Sequence, residues 1–480
     1  MSKTQYNDLY LAIGGERRSG GARNSIEIVN PGTEETLGAV PAATKDDLED
    51  ALGIAAEAWA GWKSLPAGER GAILVRTAAL IRERAEEIAL LATLESGKTL
   101  AESKIETAMA ANTFQWFGEE ARRIYGRSIQ AHGAGHRMYV RKEPVGPVAA
   151  FSPWNFPIAN PARKLAPALV AGCTIILKPA EETPASALAV YRCLEDAGAP
   201  KGVASIVFGD PELISSVLIN SDAIRKISFT GSIPVGRRLG ALAAQGGKLS
   251  TMELGGHAPV IIAADADMEK AVSLTAASKY RNAGQVCVSP TRFYVERPVY
   301  ERFVDAFSNY AKGLEVGEGA NPESQMGPLI AERRRRAVSE IVADAIESGA
   351  EVTAGGSALD RPGYFYRPTV LVNAPHKARV MREEPFGPVA AINPADSLEE
   401  AVREANALPY GLAAYGFTQS ARNALFLEEN LEAGMVGVNT TRISVPESPF
   451  GGVKDSGHGS EEGIEGLEAY LTTKFISSTI

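Results

Sequence analysis

The sequence contains one cysteine in a setting that suits chemistry. Cys287 lies in the turn-prone, small-residue stretch RNAGQVCVSP, and only two other cysteines, Cys173 and Cys193, occur among the 480 residues. A thiolate is a strong nucleophile, but most free cysteines are small buried apolar side chains, and the stretch alone is compatible with both roles. The three cysteines are far apart and form no Cys-x-x-Cys pair, so we expect no structural disulfide.

The histidines give no sign of a metal centre. The chain has five, at positions 132, 136, 257, 376 and 458, without a His-Glu-x-x-His motif and without a grouping with the cysteines. We therefore expect no metal ion in the functional site.

A glycine-containing turn is the first candidate for binding a phosphate group. No Gly-x-Gly-x-x-Gly run appears in a strand-to-helix setting. Instead, the stretch KISFTGSIPVGRRLGALAAQ predicts an apolar strand, a turn with Gly231 and Gly236, and then a helix. Backbone N–H groups at the start of that helix suit a pyrophosphate, but an ordinary strand–turn–helix has the same pattern.

A carboxylate after an earlier strand is a candidate for binding ribose. The stretch TIILKPAEETPASALAVYRCL places Lys178 and Glu181 just beyond a strand end, where sheets of this kind receive ligands. A carboxylate there suits ribose hydroxyls. Spacing alone is equally compatible with Glu181 or Glu182 capping the helix that begins near Pro184.

Apolar periodicity predicts one long amphipathic helix over residues 69–96, which ends in SGKT. This ending resembles the end of a phosphate-binding P-loop, but Ala92 stands where that motif needs a glycine. We interpret Gly97 as a helix stop.

Short apolar runs predict the sheet that positions these residues. VGPVAAFS, TIILK, ASIVF, AIRKISFT and APVIIAA alternate with helical segments, which is typical of parallel strands covered on both faces. The alternation continues over residues 290–440, where the capping box SLEE at Ser397–Glu400 opens a helix. We therefore predict an α/β protein with two units, as a length of 480 residues also favours.

The composition of the chain restricts the classes of molecule that it is expected to bind. Lysine and arginine number 49 against 58 acidic residues, and the net charge of −9 disfavours binding to nucleic acid or to an anionic membrane surface. The N-terminal stretch lacks the pattern of a secretion signal, and the longest apolar run is too short to span a bilayer. We expect a cytoplasmic protein that binds a small molecule.

Seven short motifs follow one another along the chain: SPWNFP (152–157), KPAEETP (178–184), FTGSIPVG (229–236), MELGG (252–256), GQVC (284–287), EEPFGP (383–388) and PFGG (449–452). Together they closely resemble the NAD(P)-dependent aldehyde dehydrogenase family, from about residue 25 to the C-terminus. The resemblance implies a Rossmann-type cofactor-binding domain (1–122 and 144–254), an α/β catalytic domain (255–450) and a small β oligomerisation element (123–143 and 451–480). It also implies a homodimer or homotetramer.

The resemblance implies a role for each motif. Cys287 matches the nucleophile, Glu253 the general base and Asn155 the amide that holds the oxyanion. The cofactor is expected to be NAD, with NADP as the alternative. The positions that match cofactor contacts are Trp154, Lys178, Glu181, Phe229, Gly231, Ser232, Glu384 and Phe386.

Three further positions bear on the substrate. Arg163, Arg281 and Ser444 match the carboxylate-binding residues of succinate semialdehyde dehydrogenases, although each arginine alone is as compatible with an ordinary ion pair. Other stretches resemble 2-oxoglutarate semialdehyde dehydrogenases, and Arg442 adds a charge that suits a longer substrate. Glutarate semialdehyde, a broad aldehyde specificity and a non-catalytic relative are further alternatives. The intact Cys287 and Glu253 favour an enzyme that hydrolyses its thioester over one that transfers it to CoA.

Overall fold

A computed structural model of the protein describes residue 6, residues 8–21 and residues 23–479. Its strands are β1 (Leu11–Ile13), β2 (Glu16–Arg18), β3 (Ser25–Val29), β4 (Thr36–Pro41), β5 (Arg127–Ile129), β6 (His136–Pro144), β7 (Val148–Phe151), β8 (Ile175–Lys178), β9 (Ala204–Ile206), β10 (Lys226–Gly231), β11 (Leu249–Leu254), β12 (Pro259–Ile262), β13 (Arg292–Glu296), β14 (Glu351–Ala354), β15 (Thr369–Val372), β16 (Val389–Ala395), β17 (Ala413–Phe417), β18 (Met435–Val438), β19 (Gly457–His458) and β20 (Leu471–Thr479).

The helices are α1 (Lys45–Ser64), α2 (Ala67–Glu83), α3 (Ala85–Ser96), α4 (Leu100–Glu120), α5 (Ala159–Ala171), α6 (Pro184–Asp196), α7 (Pro211–Asn220), α8 (Ile233–Gln245), α9 (Met268–Tyr280), α10 (Tyr300–Lys312), α11 (Glu332–Glu347), α12 (Arg379–Arg382), α13 (Leu398–Asn406), α14 (Ala421–Asn430) and α15 (Gly463–Glu468).

The first sheet has the order β19-β11-β10-β7-β8-β9-β1-β2 in the described part of the chain. Its central strands, from β11 to β9, are parallel. They are the continuous apolar runs of the sequence, and they are buried on both faces because helices cover the sheet. The parallel α/β sheet predicted from the sequence is confirmed.

The second sheet has the order β14-β15-β16-β13-β12-β17-β18, with every neighbouring pair parallel except β14 and β15. Its apolar side chains form a core of their own, separate from the core around the first sheet. The predicted second α/β unit is therefore confirmed. The helix α13 begins at Ser397, whose hydroxyl accepts from the N–H of Glu400 at 3.2 Å.

A third, antiparallel sheet has the order β20-β6-β5. It joins residues near position 140 to the C-terminal strand, while β19 of the C-terminal region pairs with β11 of the first sheet. The division of the chain into cofactor-binding, catalytic and oligomerisation parts at the residues given above stays a prediction.

The prediction of a single helix over residues 69–96 is wrong, because the helix is interrupted. The chain forms α2 and α3, which meet at Arg84, and both pack against α6. The predicted apolar face is buried, but Arg84 leaves helical geometry with φ −99° and ψ 15°. Its guanidinium lies 2.7 Å from the carboxylate of Asp196 at the end of α6. Periodicity identifies the buried face, but it does not reveal the break between the two helices.

Gly97 ends α3, as predicted, with φ 77°. A Cβ at this position would lie 2.5 Å from the ring of Pro328, so the backbone here passes directly against the second unit. Within the described residues, no helix combines the length and the apolar character that crossing a bilayer requires.

Candidate active site

A cavity of about 640 Å³ lies between the two α/β units, and the carboxyl ends of strands in the first sheet lead to it. The three predicted catalytic residues and the three predicted substrate-binding residues line it. The lining residues with predicted roles are Trp154, Asn155, Arg163, Gly231, Ser232, Glu253, Arg281, Cys287, Glu384, Phe386 and Ser444. Residues 290 positions apart in the sequence thus share one cavity.

The loop before Cys287 has an unusual backbone. Asn282, Ala283 and Gly284 have φ values of 50°, 51° and 73°, so three consecutive residues are left-handed. Such a run is costly for Ala283 and is found mainly where a functional loop is held by its surroundings. A Cβ on Gly284 would lie 2.0 Å from the carbonyl oxygen of Gly387, which explains the glycine. The loop brings Cys287 to the cavity wall, where it is partly exposed.

Asn155 follows β7 and is held on three sides. Its Nδ2 donates to the carbonyl oxygen of Gln285 at 3.1 Å, which fixes the amide against the loop of the predicted nucleophile. The backbone carbonyl oxygen of Asn155 accepts from Lys98 Nζ at 2.7 Å and from Asn282 Nδ2 at 3.0 Å. An amide has two N–H groups, so one remains for a ligand in the cavity.

Glu253 lies on β11 with a buried carboxyl group, and its Oε1 has no hydrogen-bond partner within the described residues. Burial raises the pKa of Glu253 to about 8, and the charge of Glu461 acts in the same direction, while Arg163 and Lys164 oppose it. Burial, and then the nearby charge of Glu253, raises the pKa of the Cys287 thiol. A carboxyl group with a pKa close to neutrality can take up and release a proton at physiological pH.

Two consecutive basic residues of α5 pair with two consecutive acidic residues near the C-terminus. Lys164 Nζ lies 2.5 Å from the Glu461 carboxylate and also donates to the hydroxyl of Thr230 at 2.8 Å. Arg163 Nε lies 3.2 Å from the Glu462 carboxylate. All four side chains are buried, so the charges are compensated beside the cavity.

Arg163 has two more contacts. Its Nη2 donates to the Ser444 hydroxyl at 2.6 Å, and its guanidinium carbon lies 4.2 Å from the centre of the Phe450 ring. The arginine and the serine predicted to bind a carboxylate are therefore bonded to each other.

Two other arginines at the cavity have no such partner. Arg281 Nε has no hydrogen-bond partner within the described residues, and its guanidinium carbon lies 5.5 Å from the centre of the Phe156 ring. Arg442 lines the cavity with an exposed side chain, which has no hydrogen bond to another described residue, while its backbone N–H donates to Thr440 Oγ1.

Five of the predicted cofactor residues line the same cavity, namely Trp154, Gly231, Ser232, Glu384 and Phe386. Trp154 and Phe386 meet edge to face with ring centres 5.5 Å apart. Ser232 is the N-cap of α8 but makes no side-chain cap bond, so this helix start has N–H groups free for an anion. Partial burial of Glu384 raises its pKa to about 8, and a Cβ on Gly255 would lie 2.6 Å from its carboxylate. These residues fit a dinucleotide.

The other predicted cofactor residues lie outside the cavity lining. Lys178, the last residue of β8, forms an ion pair with Glu181, and Glu181 also accepts from the N–H of Gly209 at 3.4 Å. Phe229 is buried in β10 against Gly231. The alternative in which Glu181 or Glu182 caps α6 is wrong.

The start of α6 is bonded by Glu95 from α3. Its carboxylate accepts from the N–H groups of Ala185 and Ser186 at 2.6 and 3.0 Å. The acidic residues at 181 and 182 are therefore not needed as caps.

Several site residues were missed by sequence reasoning. Lys98 belongs to the SGKT stretch, which lacks the first glycine of a P-loop, and Glu461 and Glu462 lie in the C-terminal stretch GHGSEEG (457–463). The only sequence signal for these three residues was a charged side chain within a short motif, because the residues that they contact lie far away in the sequence. Among the described residues, no group of three or more His, Cys, Asp or Glu side chains could hold a metal ion.

The α/β fold thus places a cysteine, a carboxyl group and an amide around one cavity, together with residues predicted to contact a dinucleotide. The model of the aldehyde dehydrogenase family matches residues 18–476, and the chain belongs to this family. Enzymes of this family use NAD(P).

Two curated relatives and one solved structure illustrate the similarity. The chain is 51% identical over 476 residues to a 4-(hydroxymethyl)benzenesulfonate dehydrogenase of Comamonas testosteroni, covering 99% of both chains. It is 42% identical to the NADP-dependent succinate-semialdehyde dehydrogenase of Escherichia coli K12, covering 97% of this chain and 96% of the relative. The crystal structure of a succinate-semialdehyde dehydrogenase from Burkholderia pseudomallei is similar with a TM-score of 0.97 and 43% identity, covering all of both chains.

Proposed function

We propose that this aldehyde dehydrogenase oxidises an aldehyde that carries an anionic group at its far end, with succinate semialdehyde as the first candidate. The observation that carries the proposal is Arg281, a guanidinium at the wall of the same cavity as Cys287 that forms no ion pair and no side-chain hydrogen bond with any described residue. A partly buried cation without a partner is costly, and a substrate carboxylate would compensate it.

The first step uses Cys287 and Asn155. The sulfur of Cys287, as the thiolate, adds to the aldehyde carbon to form a thiohemiacetal. The new oxyanion accepts from the free N–H of the Asn155 amide and from the backbone N–H of Cys287. Because Gln285 holds the amide at 3.1 Å, this donor is in place before the substrate arrives.

The cofactor, when bound, supplies the acceptor for the hydride that leaves the thiohemiacetal carbon. Ser232 and the start of α8 would bind its pyrophosphate, and Glu384 would bind the ribose near the reacting ring. Glu253 then takes a proton from water, the water oxygen attacks the thioester, and the carboxylic acid leaves Cys287 as the thiolate. A carboxyl group with a pKa of about 8 suits this proton transfer from water.

Arg163 has a different part in this proposal from the one the resemblance implies. Its charge is compensated by Glu462, and it holds the hydroxyl of Ser444 at 2.6 Å. We propose that it fixes Ser444 and the electrostatics of the cavity, while Arg281 binds the substrate anion.

A sulfonated aromatic aldehyde is a second candidate. The first relative named above is a dehydrogenase of a sulfonated benzyl alcohol at 51% identity. A cysteine nucleophile adds to a carbonyl and not to an alcohol, so the matching substrate here is the aldehyde, 4-formylbenzenesulfonate. The substrate end of the cavity has apolar and aromatic walls that suit a flat ring, formed by Ile105, Met109, Phe156, Ile443 and Phe450.

We also propose NAD as the preferred cofactor, because the Glu181 carboxylate suits ribose hydroxyls and opposes a 2′-phosphate.

We propose that the protein acts in the cytoplasm, because its three cysteines are free thiols. The strand β20 continues the outer sheet with an exposed Phe475, and we propose that this sheet joins subunits of a homodimer or homotetramer.

A substrate comparison tests the proposal. Initial rates with NAD are measured for succinate, glutarate and 2-oxoglutarate semialdehydes and for 4-formylbenzenesulfonate, each beside an uncharged aldehyde of similar size, butanal or benzaldehyde. Cys287→Ser is the control for background. We expect kcat/KM to be at least about tenfold higher for an anionic aldehyde than for its neutral counterpart. Equal values across all pairs would contradict the anion proposal but not the family assignment.

A further inference from the structure

We propose that Lys98 and Glu106 are positioning residues that hold Asn155 and the Cys287 loop in their reactive arrangement. The inference rests on the proposed oxyanion role of Asn155. Neither residue lines the cavity, so neither touches the substrate.

Lys98 connects the end of the SGKT stretch to the backbone of Asn155. Its Nζ donates to the Asn155 carbonyl oxygen at 2.7 Å and lies 2.5 Å from a Glu106 carboxylate oxygen. Only 1% of each ionic side chain is exposed. The Nζ atom also lies 4.5 Å from the centre of the Phe156 ring, so the ammonium group is enclosed on a further side.

Glu106 connects the same ammonium group to the helix that follows Asn155. Its second carboxylate oxygen accepts from the N–H groups of Ile158 and Ala159 at 2.7 and 3.0 Å. These are orphan donors at the start of α5, where a negative charge is favourable. The residues before and after Phe156 are therefore fixed from one buried ion pair.

The same helix, α4, also holds the nucleophile loop. Glu102 accepts from the N–H of Asn282 at 2.8 Å, and Asn282 Nδ2 donates to the Asn155 carbonyl oxygen at 3.0 Å. That oxygen thus has two donors, one from each α/β unit. The left-handed backbone at Asn282 and Ala283 needs such external support, because its local conformational energy is unfavourable.

Close backbone packing keeps Lys98 in place. A Cβ on Gly319 would lie 2.1 Å from the Lys98 carbonyl oxygen, and a Cβ on Gly327 would lie 2.0 Å from the Gly97 carbonyl oxygen. The SGKT stretch is therefore packed closely between the two units. This packing fixes the position of the Lys98 backbone, and with it the region that the side chain can reach.

A buried ion pair is weak support for stability as such, because desolvating two charges offsets much of their attraction. The role of the Lys98–Glu106 ion pair here is to orient Asn155. An oxyanion donor must lie within a fraction of an ångström of its productive position, and side chains that touch the substrate depend on neighbours to hold them there. Lys98 and Glu106 supply that support for Asn155.

A double-mutant cycle tests the proposal. Lys98→Met and Glu106→Gln are each made in the native background and in Asn155→Ala, and kcat and both KM values are measured with the best aldehyde of the substrate comparison. Glu106→Gln keeps an acceptor oxygen for α5, so it serves if Lys98→Met does not fold. The control is Arg70→Met, which removes a buried cation that donates to the carbonyl oxygen of Val170 at the other end of α5.

We expect each single variant to lower kcat by about tenfold or more while KM for NAD changes by less than about twofold. In the Asn155→Ala background, neither substitution should lower kcat by more than about a further twofold, because the amide to be positioned is absent. Losses that multiply in the double variants would overturn the proposal, as would an equal loss of kcat in Arg70→Met. If Asn155→Ala itself keeps native kcat, the proposed oxyanion role fails, and that result is distinct from a failure of the positioning role.

Discussion

Arg163 and Glu462 form a buried ion pair at the wall of the cavity, with 3.2 Å between Arg163 Nε and a Glu462 carboxylate oxygen. Only 6% and 3% of the two side chains are exposed. The charge of Arg163 is therefore already compensated before any substrate binds. At the same time its positive charge opposes the rise in the pKa of Glu253 and of the Cys287 thiol, so it acts on both groups from a fixed position.

This pair predicts that Arg163→Met will impair every aldehyde. Removing the guanidinium leaves Glu462 buried without its partner, which typically costs about 3–5 kcal/mol in the free energy of unfolding. It also removes a charge that favours the thiolate. We expect kcat/KM for succinate semialdehyde and for butanal to fall by similar factors, and denaturant unfolding to show the loss of stability.

The double variant Arg163→Met/Glu462→Gln is the matched control. It neutralises both partners, so part of the lost stability should return. A loss confined to the anionic substrate, with native stability in Arg163→Met, would instead mean that Arg163 binds the substrate directly.

Arg281 is expected to behave differently. Arg281→Ala should cost roughly 2–4 kcal/mol in kcat/KM for a carboxylated semialdehyde, on the scale of a lost buried charge partner. Butanal should be oxidised almost as well as by the native enzyme, because it has no anion to pair. Arg442→Ala is the comparison variant, and its exposed side chain should contribute about 1 kcal/mol or less. Equal losses on succinate semialdehyde and butanal in Arg281→Ala would show a structural role.

Much of the fold follows from the sequence because the local signals agree. Apolar runs such as residues 148–151 predict buried parallel strands, and the structure places them in the centre of the first sheet. The glycine after α3 predicts a helix end, since a left-handed residue is needed there. The motif order places Cys287, Glu253 and Asn155, which line one cavity.

The remaining features depend on partners that no local pattern contains. Glu462 lies 299 positions from Arg163, so the ion pair that changes the interpretation of that arginine has no spacing rule. Lys98 looked like part of a failed phosphate loop, yet the fold buries its ammonium group against Asn155. The break between α2 and α3 at Arg84 likewise has no local signal, because the apolar spacing continues across it.

We expect Glu181 to determine the preference for NAD over NADP. The native enzyme should have a clearly higher kcat/KM with NAD than with NADP, because a carboxylate repels a 2′-phosphate. Glu181→Gln should raise the NADP-to-NAD ratio of kcat/KM by about tenfold or more, since it also releases Lys178 from its ion pair. Glu182→Gln is the control, because Glu182 pairs with Arg333 instead. A native ratio near one, or an equal shift in both variants, would contradict this role.

The raised pKa of Glu253 makes a prediction about pH. Hydrolysis of the thioester needs the ionised carboxylate, and the pKa of about 8 means that the ionised fraction rises as pH increases through that value. Steady-state kcat should therefore increase from pH 6 to pH 9 with a midpoint near 8. Glu253→Gln should retain a burst of reduced cofactor but lose this rise and most of the steady rate, because the acyl-enzyme accumulates.

The neighbour Glu461 sets the position of that midpoint. Its negative charge helps to raise the pKa of Glu253, and it also compensates Lys164, whose charge acts in the opposite direction. Glu461→Gln removes the first effect and strengthens the second, so both changes lower the pKa of Glu253. The midpoint of kcat should move to lower pH, measured with the burst amplitude to confirm that acylation still occurs. A midpoint that stays in place or moves to higher pH would mean that another group controls the rise, and Glu253 would lose its assignment as the base of this step.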